Sequence, residues 1–396
     1  MRKLTNLGLL LLSLTVHISL IGFIFFALLT ITNWYLQKIP LLGVDLHNTI
    51  TYVSYLKRHF MLPVNGFKDI WFTGVPLYKD TLLLHYYFIL PLTQFFSVLD
   101  AVRYYVVGSI FAFGIFTYLL LFRLSKNHLV AAGITLLTLF SSGYYGSLVW
   151  GGSLPYFSTQ PFLPLVILLL VMYLQTGNRG WFAAAALATG VAFTGHPLLT
   201  GTFIIPLAIL LLIFGSPKIP IKLLSRFVLT VVFLLLSIIV SFRVTGSLIK
   251  TASNIFTAAI SLTGKTTQNL TQKIGGEESV SAPVDAVSQY FRGMVNKIPE
   301  YTNPYLFFLL GAGFAMFILF WIFRRDKRKI MEIFPYIIFG IFVFGQIVVN
   351  AYGNSLLYQG WYRQFWQVPI TLALICAVCF GNALGSIAGK KKFDYN

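Results

Sequence analysis

Long apolar stretches alternate with short polar segments along the whole chain. Many of these stretches run for roughly 17 to 25 residues, the length that a helix needs to cross a ~30 Å hydrocarbon core. The pattern therefore predicts an all-α polytopic membrane protein with about ten transmembrane helices. The predicted spans are residues 7–31, 104–122, 129–148, 162–174, 181–194, 202–214, 227–245, 305–323, 334–350 and 369–388. Because no soluble domain longer than about 100 residues fits between them, we expect residues 1–396 to form one integral membrane domain.

Two apolar stretches need a closer assignment. The first follows Arg2 and Lys3, as a signal peptide would. It is longer than the apolar region of a signal peptide and has no small-x-small cleavage site, so we interpret it as a retained anchor. The stretch over residues 82–99 is apolar enough to span, but it contains His85, Pro91 and Gln94.

The distribution of basic residues decides between the two topologies. The basic clusters are Arg2 with Lys3, Arg123 with Lys126, Arg179, Lys218 with Lys222 and Arg226, residues 324–329, and residues 390–392. If residues 82–99 do not cross, every cluster lies on the same side as the N terminus. Since cytoplasmic loops are enriched in Lys and Arg, we predict a juxtamembrane or re-entrant helix at residues 82–99 and cytoplasmic location for both termini. The expected location is the plasma membrane, with multiple passes.

Composition agrees with this class. Hydrophobic residues make up 57% of the chain and charged residues only 10%, whereas soluble domains carry about 25% charged residues. The formal net charge is +18, which in a soluble protein can indicate nucleic-acid binding. Here most of the excess falls on the predicted inner segments, so we expect membrane lipids as partners, with anionic lipid as the counter-charge, and no nucleic acid.

The predicted outer segments hold most of the candidate chemistry. They are residues 33–103, 141–160, 194–197, 246–303 and 352–367. Asp45, one of only 11 acidic residues, follows the first span and is placed at the bilayer edge. A carboxylate there meets a lipid head group while remaining wet enough to ionise. In the fourth segment, residues 285–298 repeat apolar side chains at helical spacing, which predicts an interfacial helix.

The first outer segment resembles a known group of membrane enzymes. Asp45 and His47 are followed by Leu-Pro at 62–63, by Trp-Phe-Thr-Gly-Val-Pro-Leu-Tyr at 71–78, and then by an apolar Tyr-rich helix. This order resembles the first outer loop of GT-C-type polytopic glycosyltransferases, especially the multi-span membrane family labelled 6-pyruvoyl-tetrahydropterin-synthase-related. Tyr362-Arg363 before the last apolar span is similar to a later loop of that family.

The resemblance implies a division of the chain and a reaction. Residues 1–200 would be a GT-C-like core with the first outer loop at 33–103, and residues 201–396 would be variable spans with an outer loop at 246–303. The implied reaction transfers a sugar from a polyprenyl-phosphate-linked donor to an acceptor on the outer face, as in cell-envelope polysaccharide synthesis. An acid in the first outer loop would act as base, and nearby cations would hold the donor phosphate. The acceptor is not specified by the resemblance.

The chemistry of glycosyl transfer from a lipid phosphate sets three requirements. A base accepts the acceptor's proton, cations stabilise the departing phosphate, and a pocket open to the membrane takes the lipid tail. Asp45 is the candidate base, and residues 82–99 are the candidate wall of the pocket. The candidate substrate-binding side chains are His47, Lys57, Arg58, His59, Lys79, His196, Arg243 and Arg363. We expect no cofactor and no metal.

Each candidate also has a purely structural interpretation. Asp45 would cap the helix after it, and Lys57-Arg58-His59 would be a solvated helix end. His196, which precedes Pro197, would satisfy a turn. Arg243 would snorkel from the outer end of its span, and Arg363 would anchor an aromatic belt.

Other motifs carry less functional information. The Cys376-x-x-Cys379 spacing lies inside an apolar span with no further cysteine, so we interpret it as two small buried residues. Gly381 and Gly385 have the spacing that suits close helix packing. The absence of a nucleotide-binding motif in the sequence favours a lipid-linked donor over a nucleotide sugar.

Two alternative functions remain open at this stage. One is a transporter or flippase of lipid-linked saccharide, although the predicted span centres carry almost no charge, with His17 and Asn382 as polar exceptions. The other is a non-catalytic GT-C-like scaffold, because the segment 141–160 lacks the second acid that many GT-C enzymes carry in their second outer loop.

Overall fold

The computed structural model describes residues 2–36, 44–59, 67–68, 75–76, 84–144, 153–215, 222–245, 302–324, 327–352 and 367–387. The helices are α1 (Arg2–Leu36), α2 (Val44–Arg58), α3 (Leu84–Ile89), α4 (Val98–Ser125), α5 (His128–Leu139), α6 (Leu154–Thr159), α7 (Phe162–Thr176), α8 (Arg179–Gly195), α9 (Pro197–Leu199), α10 (Ile205–Phe214), α11 (Leu223–Thr245), α12 (Pro304–Arg324), α13 (Lys327–Tyr352) and α14 (Val368–Ile387). A 3-10 turn covers Leu90–Gln94, and a π-helical turn covers Thr200–Ile204. Two-residue strands β1 (Phe67–Lys68) and β2 (Val75–Pro76) pair antiparallel, with Phe67 opposite Pro76.

Within the part of the chain that the structure describes, four helical stretches are long and apolar enough to cross a membrane. They are Val98–Ser125, Leu154–Thr176, Pro197–Phe214 and Leu223–Ser241. Shorter apolar helices occur at Leu14–Thr30, His128–Leu139, Pro304–Met316, Glu332–Ile347 and Val368–Ala383. The predicted all-α class is therefore confirmed for the described part of the chain, together with helices suited to a membrane.

Helix α11 shows how this sequence presents apolar surface outward. Leu224, Val228, Val231 and Leu235 are among the large apolar side chains that it leaves exposed. Exposed apolar area of this extent on one helix is unfavourable in water but suits a lipid environment.

Helices α1 and α4 pack antiparallel, which sets the orientation of the first part of the bundle. The rings of Phe25 and Phe111 stack at 4.2 Å, and the ring of His17 lies 4.6 Å from that of Phe122. Residue numbers therefore rise along α1 as they fall along α4. The N-terminal end of α1 and the C-terminal end of α4 lie at the same end of the bundle.

Helix α14 is the central packing element among the described helices. It packs against α12, α4, α13 and α5, and Cys376 and Cys379 are buried within it as free thiols. A Cβ at Gly381 would meet the main-chain carbonyl of Leu124. The predicted role of Gly381 in close helix packing is confirmed, since only a hydrogen side chain fits there.

The apolar stretch at residues 82–99 does not form one continuous helix in the structure. Between residues 84 and 99, α3 has six residues and the 3-10 turn has five. Pro91 lies in the first turn of the 3-10 segment, and the chain then turns before Ser97 caps α4. Neither piece approaches the roughly 20 residues that a helical span requires. The structure thus has two short helical pieces here, where the sequence predicts one juxtamembrane or re-entrant helix, and it has no continuous spanning helix over residues 84–99.

Candidate functional site

Helix α2 carries Asp45 in its first turn and a basic group at its last turn. The helix begins at Val44, one residue before Asp45, and ends at Lys57 and Arg58. Asn48 lies within the helix. Twelve helical steps separate Asp45 from Lys57, or about 18 Å along the axis. Asp45 and the basic end are therefore too far apart to contact one glycosyl phosphate together.

The basic end of α2 is tied to the 3-10 turn. Lys57 Nζ donates a hydrogen bond of 2.9 Å to the carbonyl oxygen of Thr93. Arg58 and His59 are exposed, and the ring of His59 lies 5.0 Å from that of Tyr55. Lys57 thus contributes to packing α2 against the following segment, while Arg58 and His59 present polar groups at the surface.

The middle of α2 packs on α3. The rings of Tyr52 and Tyr86 stack at 4.7 Å with an interplanar angle of 8°. Tyr52 precedes Lys57 on α2 as Tyr86 precedes Thr93 on the partner segment, so the two segments run in the same direction.

Arg103 is a buried cation at the start of α4. Its Nη1 donates to Asp100 Oδ1 at 3.0 Å. Ser97 accepts from the main-chain N–H of Asp100, and its hydroxyl donates to the Asp100 carboxylate. The first of these bonds is an N-cap, in which the Ser97 side chain satisfies the main-chain N–H of the third residue of α4. The Asp100 carboxylate offsets the charge of Arg103. Ser97, Asp100 and Arg103 together stabilise the first turn of α4.

His196 lies at the junction of α8 and α9 and is 6% exposed. Its Nδ1 accepts a 3.1 Å hydrogen bond from the main-chain N–H of Leu199. An accepting Nδ1 places the proton of neutral imidazole on Nε2. The predicted turn role of His196 is therefore present in the structure, and the bond also fixes the tautomer of the ring.

A π-helical turn follows directly after this junction. Thr200–Ile204 has the wider hydrogen-bonding pattern, and the carbonyl of Thr202 accepts from Gln346 Nε2 at 3.3 Å. Such turns occur frequently at functional sites because they displace the side chains around them. Gly195, just before His196, leaves no room for a larger side chain, since a Cβ there would lie 2.5 Å from Thr159 Oγ1.

Tyr156 and Gln367 extend the polar group around His196. The ring of Tyr156 meets that of His196 edge-on at 4.9 Å. Gln367 Nε2 donates to the Tyr156 hydroxyl at 2.9 Å, and both side chains are buried. Gln367 precedes α14 and Tyr156 lies in α6, so this bond joins two segments that the sequence predicted to be outer.

His85 is the second buried histidine of this group. It is 2% exposed, and neither ring nitrogen has a hydrogen-bond partner among the described residues. Burial, together with the nearby His196, lowers the pKa of His85 from its ordinary value of 6.5 to about 3. His85 is therefore neutral at physiological pH, with one nitrogen able to donate and the other able to accept.

An apolar groove of about 410 Å³ opens beside α3. Phe88 and Leu92 form one wall, and α4, α6 and α7 form the others. The remaining lining residues are Tyr104, Tyr105, Gly108, Ser109, Ala112, Phe116, Ser158, Pro161, Phe162 and Leu165. Phe88 and Leu92 belong to the stretch 82–99, which the sequence proposed as the wall of a lipid pocket.

The structure leaves several predicted site residues without a described side chain. Lys79 and Arg363 lie outside the described residues, as does the predicted interfacial helix at 285–298. Asp45 and His47 lie in the first turn of α2, and Arg243 lies in the last turn of α11. The side chains of these three residues are not among those that the structure describes. Among the described side chains, no three His, Cys, Asp or Glu residues lie together as a metal site would require.

Three members of this group are not predicted from the sequence: His85, Tyr156 and Gln367. His85 was noted only as a polar residue in an apolar stretch, and that polarity was the available signal. Tyr156 and Gln367 are separated by 211 positions, so nothing in the local pattern predicts their contact.

Comparison with known proteins gives no family for this chain. No family model matches it, and no curated protein matches it either.

Proposed function

We propose that this chain is a GT-C-like membrane glycosyltransferase, which transfers a sugar from a polyprenyl-phosphate-linked donor to an acceptor on the outer face of the plasma membrane. The observation that carries the proposal is the convergence of segments from four predicted outer loops. Helices α2 and α3 come from the first, α6 from the second, the His196 junction from the third and Gln367 from the fifth. Contacts of α2 with α3 and α6, and of α3 with α8, bring these segments together.

The convergence supports a substrate site because it gathers polar groups next to an apolar groove. His85, His196, Tyr156 and Gln367 form a buried polar group. The groove beside α3 offers about 410 Å³ of apolar volume, with Ser158 of α6 in its lining. A lipid-linked sugar has the same two parts, a polar ring and an apolar tail. Ligand sites that are mostly apolar with a few fixed polar groups are the usual pattern in proteins.

Asp45 is the proposed general base. In the reaction, the acceptor hydroxyl oxygen attacks the anomeric carbon of the donor sugar, and the bond from that carbon to the phosphate oxygen breaks. The hydroxyl proton passes to the Asp45 carboxylate, and the polyprenyl phosphate leaves with the bonding electrons. A position in the first turn of α2 supports this assignment, since the helix dipole keeps a carboxylate ionised there.

Cations for the departing phosphate are proposed from the remaining sequence candidates. Lys57, Arg58 and His59 lie near the far end of α2, about 18 Å from Asp45 along the axis. Arg363 is the better candidate because it precedes Gln367, whose side chain is part of the buried polar group. Lys79, His47 and Arg243 remain proposals on the same sequence grounds.

The proposed topology has about ten crossings, with both termini cytoplasmic and the site at the outer face. The antiparallel packing of α1 on α4 supports it. This packing brings the N-terminal end of α1 and the Arg123–Lys126 cluster to the same end of the bundle.

One assay separates this function from the two alternatives. The purified protein is reconstituted into vesicles with a polyprenyl-phosphate sugar radiolabelled in the sugar. Release of polyprenyl phosphate with labelled product supports transfer. Movement of intact labelled lipid between leaflets would instead establish a flippase. With neither activity across a panel of sugars and acceptors, the scaffold alternative stands.

A further inference from the structure

We propose that His85 and His196 line a binding site for a neutral, hydroxyl-rich sugar ring. The inference that this ring is attached to a lipid rests on the proposed function. The sugar site itself is inferred from the geometry of the two histidines. Neither residue is the proposed base, and His85 has no role in the proposed reaction. The site lies where α3 packs against α8 and where the His196 junction meets Tyr156 of α6.

The first observation is the state of His85. Its imidazole is 2% exposed, and both nitrogens lack partners among the described residues. A buried imidazole without partners destabilises a fold, so such groups in native proteins usually meet a ligand or another polar group. A sugar hydroxyl both donates and accepts. Adjacent hydroxyls on one ring therefore match the one donor and one acceptor of neutral His85.

The second observation concerns charge. The Nδ1 of His196 accepts a hydrogen bond from the main-chain N–H of Leu199. Only a ring without a proton on Nδ1 can make this bond. Burial and the neighbouring His196 keep the pKa of His85 low, so His85 carries no positive charge at neutral pH. The Nδ1 of His196 accepts a hydrogen bond and therefore carries no proton, so that ring is neutral as well. A phosphate group needs cations or several N–H donors. The neutral pair instead suits uncharged hydroxyl groups.

The third observation is the aromatic surroundings. Tyr86 lies 3.9 Å from the ring of His85 between centroids, Tyr52 stacks on Tyr86, and Tyr156 meets His196 edge-on. Gln367 adds a buried amide on the Tyr156 hydroxyl. Aromatic rings with a few fixed hydrogen-bonding groups form the pattern expected for a small polar ligand with apolar faces. A pyranose ring has C–H faces and hydroxyl edges of this kind.

The test measures affinity for lipids with and without a sugar. The full-length protein is placed in nanodiscs and titrated with polyprenyl phosphate and with the same lipid bearing glucose, galactose, mannose or arabinose. The wild type is expected to bind at least one sugar-bearing lipid about tenfold or more tightly than the bare phosphate. His85→Leu should abolish that difference, since two hydrogen bonds correspond to roughly ten- to a hundredfold in affinity. Affinity for bare polyprenyl phosphate should not change.

Two further variants sharpen the test. His85→Gln keeps one donor and one acceptor and should retain part of the sugar-dependent difference. His128→Leu removes a partly buried histidine from the other end of α4, where its Nδ1 lies 3.1 Å from the Tyr118 hydroxyl, and should leave the difference intact. Without ligand, His85→Leu should denature at the wild-type temperature or above, because it removes a buried polar group that has no hydrogen-bond partner among the described residues.

The outcomes separate this site from the proposed function. Sugar-dependent binding that His85→Leu removes supports the site, even if no transfer occurs in any assay. Transfer that proceeds with an unchanged sugar-dependent affinity in His85→Leu overturns the site but not the transferase. An equal loss of affinity for bare polyprenyl phosphate would assign His85 to the phosphate, and no sugar-dependent difference in the wild type would also overturn the site.

Discussion

His17 Nδ1 lies 3.0 Å from the hydroxyl of Tyr118. The same hydroxyl lies 3.1 Å from His128 Nδ1, and the two histidine rings are 4.3 Å apart. His128 begins α5, so His17 lies level with the turn between α4 and α5. The sequence predicts His17 in the middle of the span 7–31, and its depth in a membrane stays a prediction. The polar residue is at the end of the bundle, where burying it requires fewer compensating contacts.

The topology can be tested at this end of the bundle. Lys126 is exposed at the α4–α5 turn, whereas the adjacent Ser125 is buried. In a variant without Cys376 and Cys379, we expect Lys126→Cys to react with an impermeant thiol reagent only after the membrane is opened. Thr266→Cys, in the segment 246–303, should react in intact cells. Labelling of Lys126→Cys from outside would reverse the proposed orientation.

Acid should destabilise the protein partly through His85. In the unfolded chain His85 takes up a proton near pH 6.5, whereas in the folded protein its pKa is about 3. Below pH 6.5 the unfolded state therefore binds more protons, and stability falls by up to about 1.4 kcal/mol per pH unit until about pH 3. His196 is the titratable neighbour that opposes protonation. Thermal unfolding at pH 7.5 and 5.0 should show a smaller loss for His85→Leu than for the wild type. Equal losses would contradict this account.

Gly381 should not tolerate even a methyl group. A Cβ at this position would meet the carbonyl oxygen of Leu124, so Gly381→Ala requires α14 and α4 to separate. We expect a loss of about 1–3 kcal/mol, as for other overpacked positions. Gly133→Ala is the matched control, since nothing lies within 4 Å of a Cβ there, and helix propensity should make it neutral or slightly stabilising. Thermal unfolding in detergent measures both, and equal effects would argue against a close approach.

The groove beside α3 can be filled from Gly108. This residue lines the groove and has open space where a Cβ would lie. Gly108→Trp should occupy part of the ~410 Å³ volume and lower the affinity for polyprenyl phosphate by about tenfold. Gly133→Trp places the same side chain on α5, outside the groove, and serves as the control. If Gly108→Trp binds the lipid as well as the wild type, the tail lies elsewhere.

The sequence predicted the positions of several helices well and their contacts poorly. The predicted span 129–148 is not one helix, since α5 ends at Leu139. Apolar segments such as 104–122 and 227–245 coincide with α4 and α11 because hydropathy is a local property. The break in residues 84–99 was not predicted, although Pro91 and the polar side chains that accompany it are visible in the sequence. The contacts of His17 with Tyr118 and His128 were not predictable from the sequence, since they depend on how far α1 extends past α4.

In the candidate site, too, features that depend on local sequence were predictable and contacts between distant segments were not. His196 was recognised because it precedes Pro197 between two apolar segments. His85 was not proposed, since its burial and its proximity to His196 arise from the packing of α3 on α8. The grouping of Lys57, Arg58 and His59 with Asp45 came from their closeness in sequence. A helix places the two groups at opposite ends, and no local pattern reveals this until the helix limits are known.

Asp45→Asn is the variant that bears most directly on the proposed reaction. Asparagine keeps the shape of aspartate and is well accepted near a helix N terminus, so α2 should still form. It does not accept a proton, and loss of a general base lowers the rate by about 10² to 10⁴. We expect sugar transfer to fall by that factor while the affinity for the lipid donor stays within about twofold. Arg363→Ala should show the opposite division, with weaker donor binding, because it removes a phosphate partner and leaves the base in place. If Asp45→Asn turns over at the wild-type rate, the carboxylate stabilises only the first turn of α2, and the glycosyltransferase proposal loses its base.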